Sequence, residues 1–462
     1  MRIPQHISKL SLLVIALSAS TSVHALDLIE TWALTRAHDP QMAVVQATRS
    51  SAEAFKTQAA SVWRPNIGLN AITGKGSATT DTTGAQFFAP SFGQSNGVTF
   101  GTSIHQGTAN RWSLSAKQPL YNPERNAQQV QLQKNAELSI LQADLAQQNL
   151  MLTTVQRYFE VLVAERKLAV LQKQYNAVTR AWTEAKDRYA LGDAPVTDMH
   201  EAAARASGLQ AQVLAADGDA QIARAVLADA TGLAPAGLKI MPPKFEQTED
   251  VKQDLNVLLT QAQDQNLGIL MQLAGLAMAQ QEVRKHRVST SATLDAIAVA
   301  SHERLSGNGD FGAATNTQNQ QMVGLSLTLP LYTGGWREGK LKESLSALDK
   351  ATAELDLLRT QIGQQTRMTW LALNSGQAQV KALTDGWIAS SSRLEATRLG
   401  RQVGDRTTQE LLNAENDAAG AEIALLTAQT QRLLNRLKLD ALTGRLSIQS
   451  LQSVNDHLVL MD

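Results

Sequence analysis

From Glu124 to Leu191 the chain runs for 68 residues without a glycine or a proline. No other feature limits the possible folds as much, because an unbroken helix of that length reaches about 100 Å at 1.5 Å per residue. Apolar side chains recur at three-four spacing, first Leu138, Leu141, Leu145, Leu152, Val155, Phe159 and Leu162, then on a shifted line at Leu168, Leu171, Tyr175, Val178, Trp182 and Tyr189. This is a coiled-coil type of seam whose facing side changes partway along, and such seams are interhelical contacts rather than cofactor sites. The run stops at Gly192, and a shorter helix is expected to return from there to about residue 230.

A second long helix is expected after Pro330, the last proline in the chain. Its stripe opens with Leu341, Leu345, Leu348, Leu355, Leu358 and Ile362 and its end is Gly404, but five glycines at 339, 363, 376, 386 and 400 weaken it. The two long segments belong to a larger repeat. Pro119-Leu120-Tyr121 returns as Pro330-Leu331-Tyr332, 211 residues on, while Gly192-Asp193 and Thr231-Gly232 return as Gly404-Asp405 and Thr443-Gly444, 212 residues on. One register held over so long a stretch is the mark of an internal duplication. The expected division is a first repeat over 26–231, a linker over 232–253, a second repeat over 254–444 and a C-terminal segment over 445–462.

Each long helix follows a strand. In VGLSLTLPLYTGGWR, residues 323–337, Val323, Leu325, Leu327 and Leu329 alternate with Gly324, Ser326 and Thr328 before the period changes to that of a helix. Strand pairs are expected near Asn66 to Thr73 with Arg111 to Gln118, and near Thr293 to Ala300 with Gln321 to Leu329, joined by loops rich in Gly, Ser, Thr, Asn and Gln. Four strands with one apolar face cannot close a barrel alone, and open edges are not viable in lipid. If the strands span a membrane, several chains must share one barrel, and strands of about nine to eleven residues are long enough to cross at a tilt of about 45°.

Residues 1–25 read as a secretory signal: Arg2 and Lys9 are positive, Leu10 to Leu17 is apolar, and Val23-His24-Ala25 offers small residues for cleavage. The chain has no cysteine, so neither a disulfide framework nor a lipid-anchored cysteine is expected. Taking Arg2 and Lys9 from the 42 basic residues leaves 40 against 42 acidic ones, and this lack of a basic surplus argues against nucleic acid as a partner.

Motifs of chemistry are weak. Gly307, Gly309 and Gly312 match GxGxxG, but a strand follows where a dinucleotide site needs a helix, so they are placed in a hairpin loop. Gly74-Lys75-Gly76-Ser77 lacks the spacing of a phosphate loop and is assigned to the other hairpin loop. The eight histidines are scattered, with no HExxH and no GxSxG nucleophile. No enzyme, cofactor or metal is expected. Two readings from different classes stand: a passive export duct, and a periplasmic coiled-coil adaptor or interaction protein without a membrane span. The one-faced apolar strand in both halves favours the duct.

The order strand, PLY, GG and Arg, long helix, repeated behind a signal, resembles the TolC-type outer-membrane channels, the outer membrane factor family. GLSLTLPLYTGGWR, LGDAPVTD and VGDRTTQELLNAE carry the resemblance, which covers nearly the whole mature chain. It implies a mixed α+β membrane protein in the outer membrane with a periplasmic extension. A homo-oligomer, a trimer in that family, shares a twelve-stranded transmembrane β-barrel continued by a long α-helical coiled-coil barrel. Residues 232–253 and those from Arg445 would lie in an equatorial region. The implied partners are outer-membrane lipid, a periplasmic adaptor (membrane fusion) protein and an inner-membrane transporter, for efflux or type I secretion.

The resemblance also implies site residues. Val323, Leu325, Leu327 and Leu329 would face lipid. The turns at Leu191-Gly192 and Val403-Gly404 would form the adaptor-docking tips. The periplasmic gate would use Asp198, Arg406, Glu410 and Asn413, with Arg406 bonding across helices to Asp198 or a nearby backbone group. Asn413 stands where the family has a second acid, and Arg401 where it often has a tyrosine.

Overall fold

The structure, a computed structural model, describes residues 26–91, 93–234, 237–240, 254–288, 291–310 and 312–459. The expected secretory signal at 1–25 and most of the expected linker at 232–253 lie outside the described residues. The elements run α1 (Leu28–His38), α2 (Pro40–Ser61), β1 (Asn66–Ala89), β2 (Gly93–Tyr121), α3 (Pro123–Ala190) and α4 (Val196–Thr231). Then follow α5 (Leu255–Gln265), α6 (Leu267–Arg287), β3 (Thr293–Gly309), β4 (Gly312–Thr328), α7 (Trp336–Gln402), α8 (Thr408–Leu442) and a final α9 (Ile448–Asn455). Among the described residues the protein is mostly helical, with a single sheet. No helix among the described residues is long and apolar enough to cross a membrane.

Local chemistry sets the helix boundaries. Asp27 caps α1 through a capping box, accepting from the Glu30 N–H at 2.8 Å while Glu30 reaches back to the Asp27 N–H. α3 opens on Pro123, where the missing N–H is no loss, and keeps its 68 residues in one helix. α7 is likewise one helix of 67 residues despite its five glycines. Each glycine weakens a helix by about 1 kcal/mol, but Gly400 makes room for an arginine. A Cβ there would run into the Arg406 side chain, whereas one at Gly376 would only touch Arg432 at ordinary contact distance.

Contacts divide the chain into two compact units. Unit 1 holds Met1–Val44, Ala146–Asn266 and Ile362–Asp462. Tyr158 and Phe159 are fully buried in its core, with Leu227, Leu425, Leu437 and Leu451. The Tyr158 hydroxyl donates to the carbonyls of Leu26 (3.2 Å) and Lys239 (2.9 Å), and burial pushes its phenol well above the usual range. Three distant stretches join here, because Leu26 bridges to Leu238 and Ile240 to Val459. Lys239 pairs with Asp27 at 3.1 Å, and Asn455 accepts from the Leu28 N–H at 2.9 Å.

Unit 2 holds Val45–Leu145 and Leu267–Gln361 and contains the sheet. Its four strands are antiparallel in the order β1-β2-β3-β4, so the central pairing, β2 with β3, joins the two halves of the sequence. Both expected strand pairs form, but the strands are 24, 29, 17 and 17 residues long, well beyond the expected nine to eleven. The polar stretches assigned to loops are strand. Gly74-Lys75-Gly76-Ser77 lies inside β1, where the Lys75 ammonium donates to Thr108 Oγ1 at 3.0 Å, and Gly307 and Gly309 belong to β3. Ladder hydrogen bonds are made by the backbone whatever the side chain, and threonine fits a pleated surface well.

Candidate functional site

Two regions carry side chains that the rest of the chain leaves without a packing role. The first is the pair of helix reversals in unit 1. α3 ends at Gly192 (φ 82°) with the Asp193 N–H on Arg188 O at 2.8 Å, and α7 ends at Gly404 (φ 84°) with the Asp405 N–H on Gly400 O at 2.8 Å. Both are glycine caps in the left-handed conformation, where a side chain is costly. Each reversal exposes one apolar residue at its tip, Leu191 at 79% and Val403 at 81%. Behind the tips Val178, Ala206 and Leu412 form a small core shared by α3, α4 and α8.

Charged groups ring that core. Arg406 donates to Glu410 Oε1 at 2.9 Å, and the other Glu410 oxygen accepts the Thr407 N–H at 2.8 Å. Thr407 in turn caps α8 by accepting from the Glu410 N–H at 3.1 Å, which completes a capping box. These bonds hold the exposed Glu410 carboxyl below its ordinary range, the Thr407 backbone N–H foremost and Arg406 next. Asp198 lies in the first turn of α4, on a cleft of about 220 Å³ that Glu184, Arg401, Thr407 and Leu412 also line. Within one chain, then, the structure brings Arg406 to Glu410 rather than to Asp198. Asn413 Oδ1 accepts both terminal nitrogens of Arg205 on α4, each at 3.1 Å.

The ion pairs of this cluster escaped the sequence reading, including the partner of Arg401. Arg401 on α7 pairs with Glu184 on α3, Arg398 with Glu415 at 3.3 Å, and Arg393 with Asp417 at 2.7 Å. The signal was present in part: Arg393 and Asp417 stand 11 and 13 residues on either side of the Gly404 turn, as neighbours on antiparallel helices do, whereas Arg398 and Glu415, at 6 and 11, do not.

The second region is the sheet. Directly paired residues share a face, and the registers extend the alternation of β4 across all four strands. Val323 pairs with Ala298, Ala298 with Ala116 and Ala116 with Ile67, while Leu327, Leu294 and Tyr121 form another row on the same face. On this face Val323, Leu325, Leu327, Ile67, Leu69 and Leu114 are all exposed. Leu329 is also exposed but lies one residue beyond β4. The opposite face carries Ser326, Asp295, Lys117, Gln320, Ser113 and Asn70 by the same registers. There Lys117 pairs with the buried Asp295 at 2.9 Å.

A family model described as "Outer membrane efflux protein" matches residues 33–233 and 258–445. The chain is 27% identical over 445 residues to the outer membrane protein TolC of Vibrio cholerae, covering 95% of each chain. It is 26% identical over 455 residues to the outer membrane protein TolC of Escherichia coli, covering 97% of this chain and 88% of the relative. Its fold matches the crystal structure of the Campylobacter jejuni CmeC outer membrane channel with a TM-score of 0.72 over 99% of this chain and 97% of that one, at 13% identity.

Proposed function

The chain belongs to the outer membrane efflux protein family and is an outer-membrane exit duct for efflux or type I secretion, and we propose that three copies build each duct. The observation that carries this reading is a sheet with one exposed apolar face and two unpaired edges, β1 and β4. In lipid every backbone N–H and C=O needs a partner. The edges find one if β1 of each copy pairs with β4 of the next, and three copies give a twelve-stranded barrel with the apolar rows outward and the Ser326 face lining the lumen.

The long helices continue the duct as a coiled-coil barrel into the periplasm. The Leu26–Leu238 and Ile240–Val459 bridges support an equatorial region along it, and the whole descends from a duplicated unit divided at 232–253. The exposed Leu191 and Val403 dock a periplasmic adaptor, which brings an inner-membrane transporter. The charged cluster around Arg406 and Glu410 gates the far end. Because the chain lacks cysteine, single cysteines placed on β1 and β4 test the assembly without background. Oxidation of the protein in membranes should give bands of one, two and three chains and none larger. Single chains alone at every pair tried would sink the shared barrel.

A further inference from the structure

The helix ends that meet the sheet in unit 2 carry positive charge that is only partly paired within the chain, Lys285 and His286 sharing Glu282. α6 closes on Arg284, Lys285, His286 and Arg287, α2 leads through Arg64 into β1, and α7 opens on Trp336 and Arg337. Among the described residues, the guanidinium groups of Arg64, Arg284, Arg287 and Arg337 have neither a carboxylate nor a hydrogen-bond partner. Their neighbours do. Arg125 donates to the Val62 carbonyl, Lys285 lies 3.5 Å from Glu282, and Lys340 pairs with Glu343 at 2.7 Å.

These ends share one level of the unit. Gln118 Nε2 donates to Trp63 O at 2.8 Å, tying the end of β2 to the end of α2. A cavity of about 530 Å³ is bordered by Ser61, Asn122, Arg125 and Lys285, from α2, the start of α3 and α6. His286 lies edge-on to Trp336, with ring centroids 6.4 Å apart, joining α6 to α7. At the same level Leu331 (89% exposed), Tyr332 (88%) and Trp336 (60%) project from the chain. Arginines at a helix C-terminus could serve the helix dipole alone. Exposed Tyr and Trp beside them are what that account does not require, and what a water–lipid boundary does.

We propose that this belt of arginines and aromatics binds the headgroup phosphate of anionic phospholipids in the leaflet facing the helices. The proposal rests on the outer-membrane reading above. A guanidinium matches phosphate oxygens two at a time, and the occupant is a lipid rather than free phosphate because only a lipid also brings acyl chain to Leu331, Tyr332 and Trp336.

The test reconstitutes the full chain in phosphatidylcholine nanodiscs with or without phosphatidylglycerol and counts, by native mass spectrometry, the lipids retained on release. Phosphatidylglycerol should be enriched over phosphatidylcholine on the parent protein. The triple variant Arg284→Gln, Arg287→Gln, Arg337→Gln should lose about fivefold of that enrichment per arginine, the equivalent of about 1 kcal/mol each. The matching Arg→Lys variant should keep most of it. Trp336→Ala should lower retention of both lipids and leave their ratio unchanged. Equal retention of the two lipids by a chain inserted in both discs would overturn the proposal alone. Displacement of phosphatidylglycerol by added inorganic phosphate would reassign the belt to a soluble anion and overturn it too. A chain that enters neither disc would overturn the membrane reading, and the proposal with it.

Discussion

Gly400, in the last turn of α7, leaves open the space that the Arg406 side chain fills: a Cβ there would lie 2.7 Å from Arg406 Cγ. The contact folds Arg406 back over the helix it has just left, while its guanidinium holds Glu410 in the first turn of α8. The reversal is thus closed by a glycine, an arginine and a carboxylate acting together.

Gly400→Ala should therefore separate stability from gating. Alanine improves helix propensity by about 1 kcal/mol, so thermal stability should hold or rise slightly. Cγ is too near the backbone of Arg406 to move freely, so the side chain should leave Glu410. In bilayer recordings the open conductance should rise. An unchanged conductance would mean that the position of Arg406 does not hold the tip.

Arg406→Ala should raise the conductance in the same way. Glu410 needs two substitutions, because it is both a cap and a charge. Glutamine preserves the capping box and removes the charge, whereas alanine removes both and should cost about 1 kcal/mol of local helix stability. In the three-copy duct proposed above, the Glu410 carboxylates would repeat around the axis as an acidic ring. Block by multivalent cations should then weaken equally in Glu410→Gln and Glu410→Ala. Full block in the glutamine variant would place the cation preference elsewhere.

The pH dependence of that preference follows from the same bonds. The Thr407 N–H and Arg406 lower the Glu410 carboxyl below its ordinary value of 4.5. A depressed carboxylate keeps its charge, and the native state keeps the contribution of these bonds, above the ordinary value; both are lost only as pH falls through the lower folded one. Reversal potentials in a salt gradient should stay cation-selective at pH 4.5 in the parent. In Arg406→Ala the selectivity should fade at a higher pH than in the parent. Identical titrations of the two would show that Arg406 contributes nothing to the charge at the tip.

What could be read in the sequence was what local chemistry decides. The absence of Gly and Pro marked α3, and the spacing of Gly192 and Gly404 marked both reversals, since only a residue at ease with positive φ ends a helix that way. α7 was harder because its five glycines look like breaks, and only for Gly400 does a neighbour, Arg406, supply the reason. The strands were underestimated because their distal halves, Thr79 to Thr82 and Ala313 to Gln320, have no apolar alternation to reveal them. The Arg205–Asn413 and Arg401–Glu184 contacts join different helices, and nothing local records such a pairing.

The sheet face offers the sharpest test of which residues meet lipid. The row Val323, Ala298, Ala116 and Ile67 is apolar across all four strands, whereas Leu327 shares its row with Leu294 and with Tyr121, the last residue of β2. Val323 is therefore farther from the helix junction than Leu327. Charged substitutions on a lipid face cost about 2–4 kcal/mol at midplane and about 0–1 kcal/mol near an interface. Val323→Arg should accordingly destabilise the protein more than Leu327→Arg does. Ser326→Arg, on the face with Lys117 and Asp295, should cost little, because that side chain stays in water. Denaturant unfolding in lipid vesicles gives the order. Single cysteines with a lipid-phase label give the orientation: labelling at 323, 325 and 327 is the expected result, and labelling at 324 and 326 instead would turn the sheet inside out.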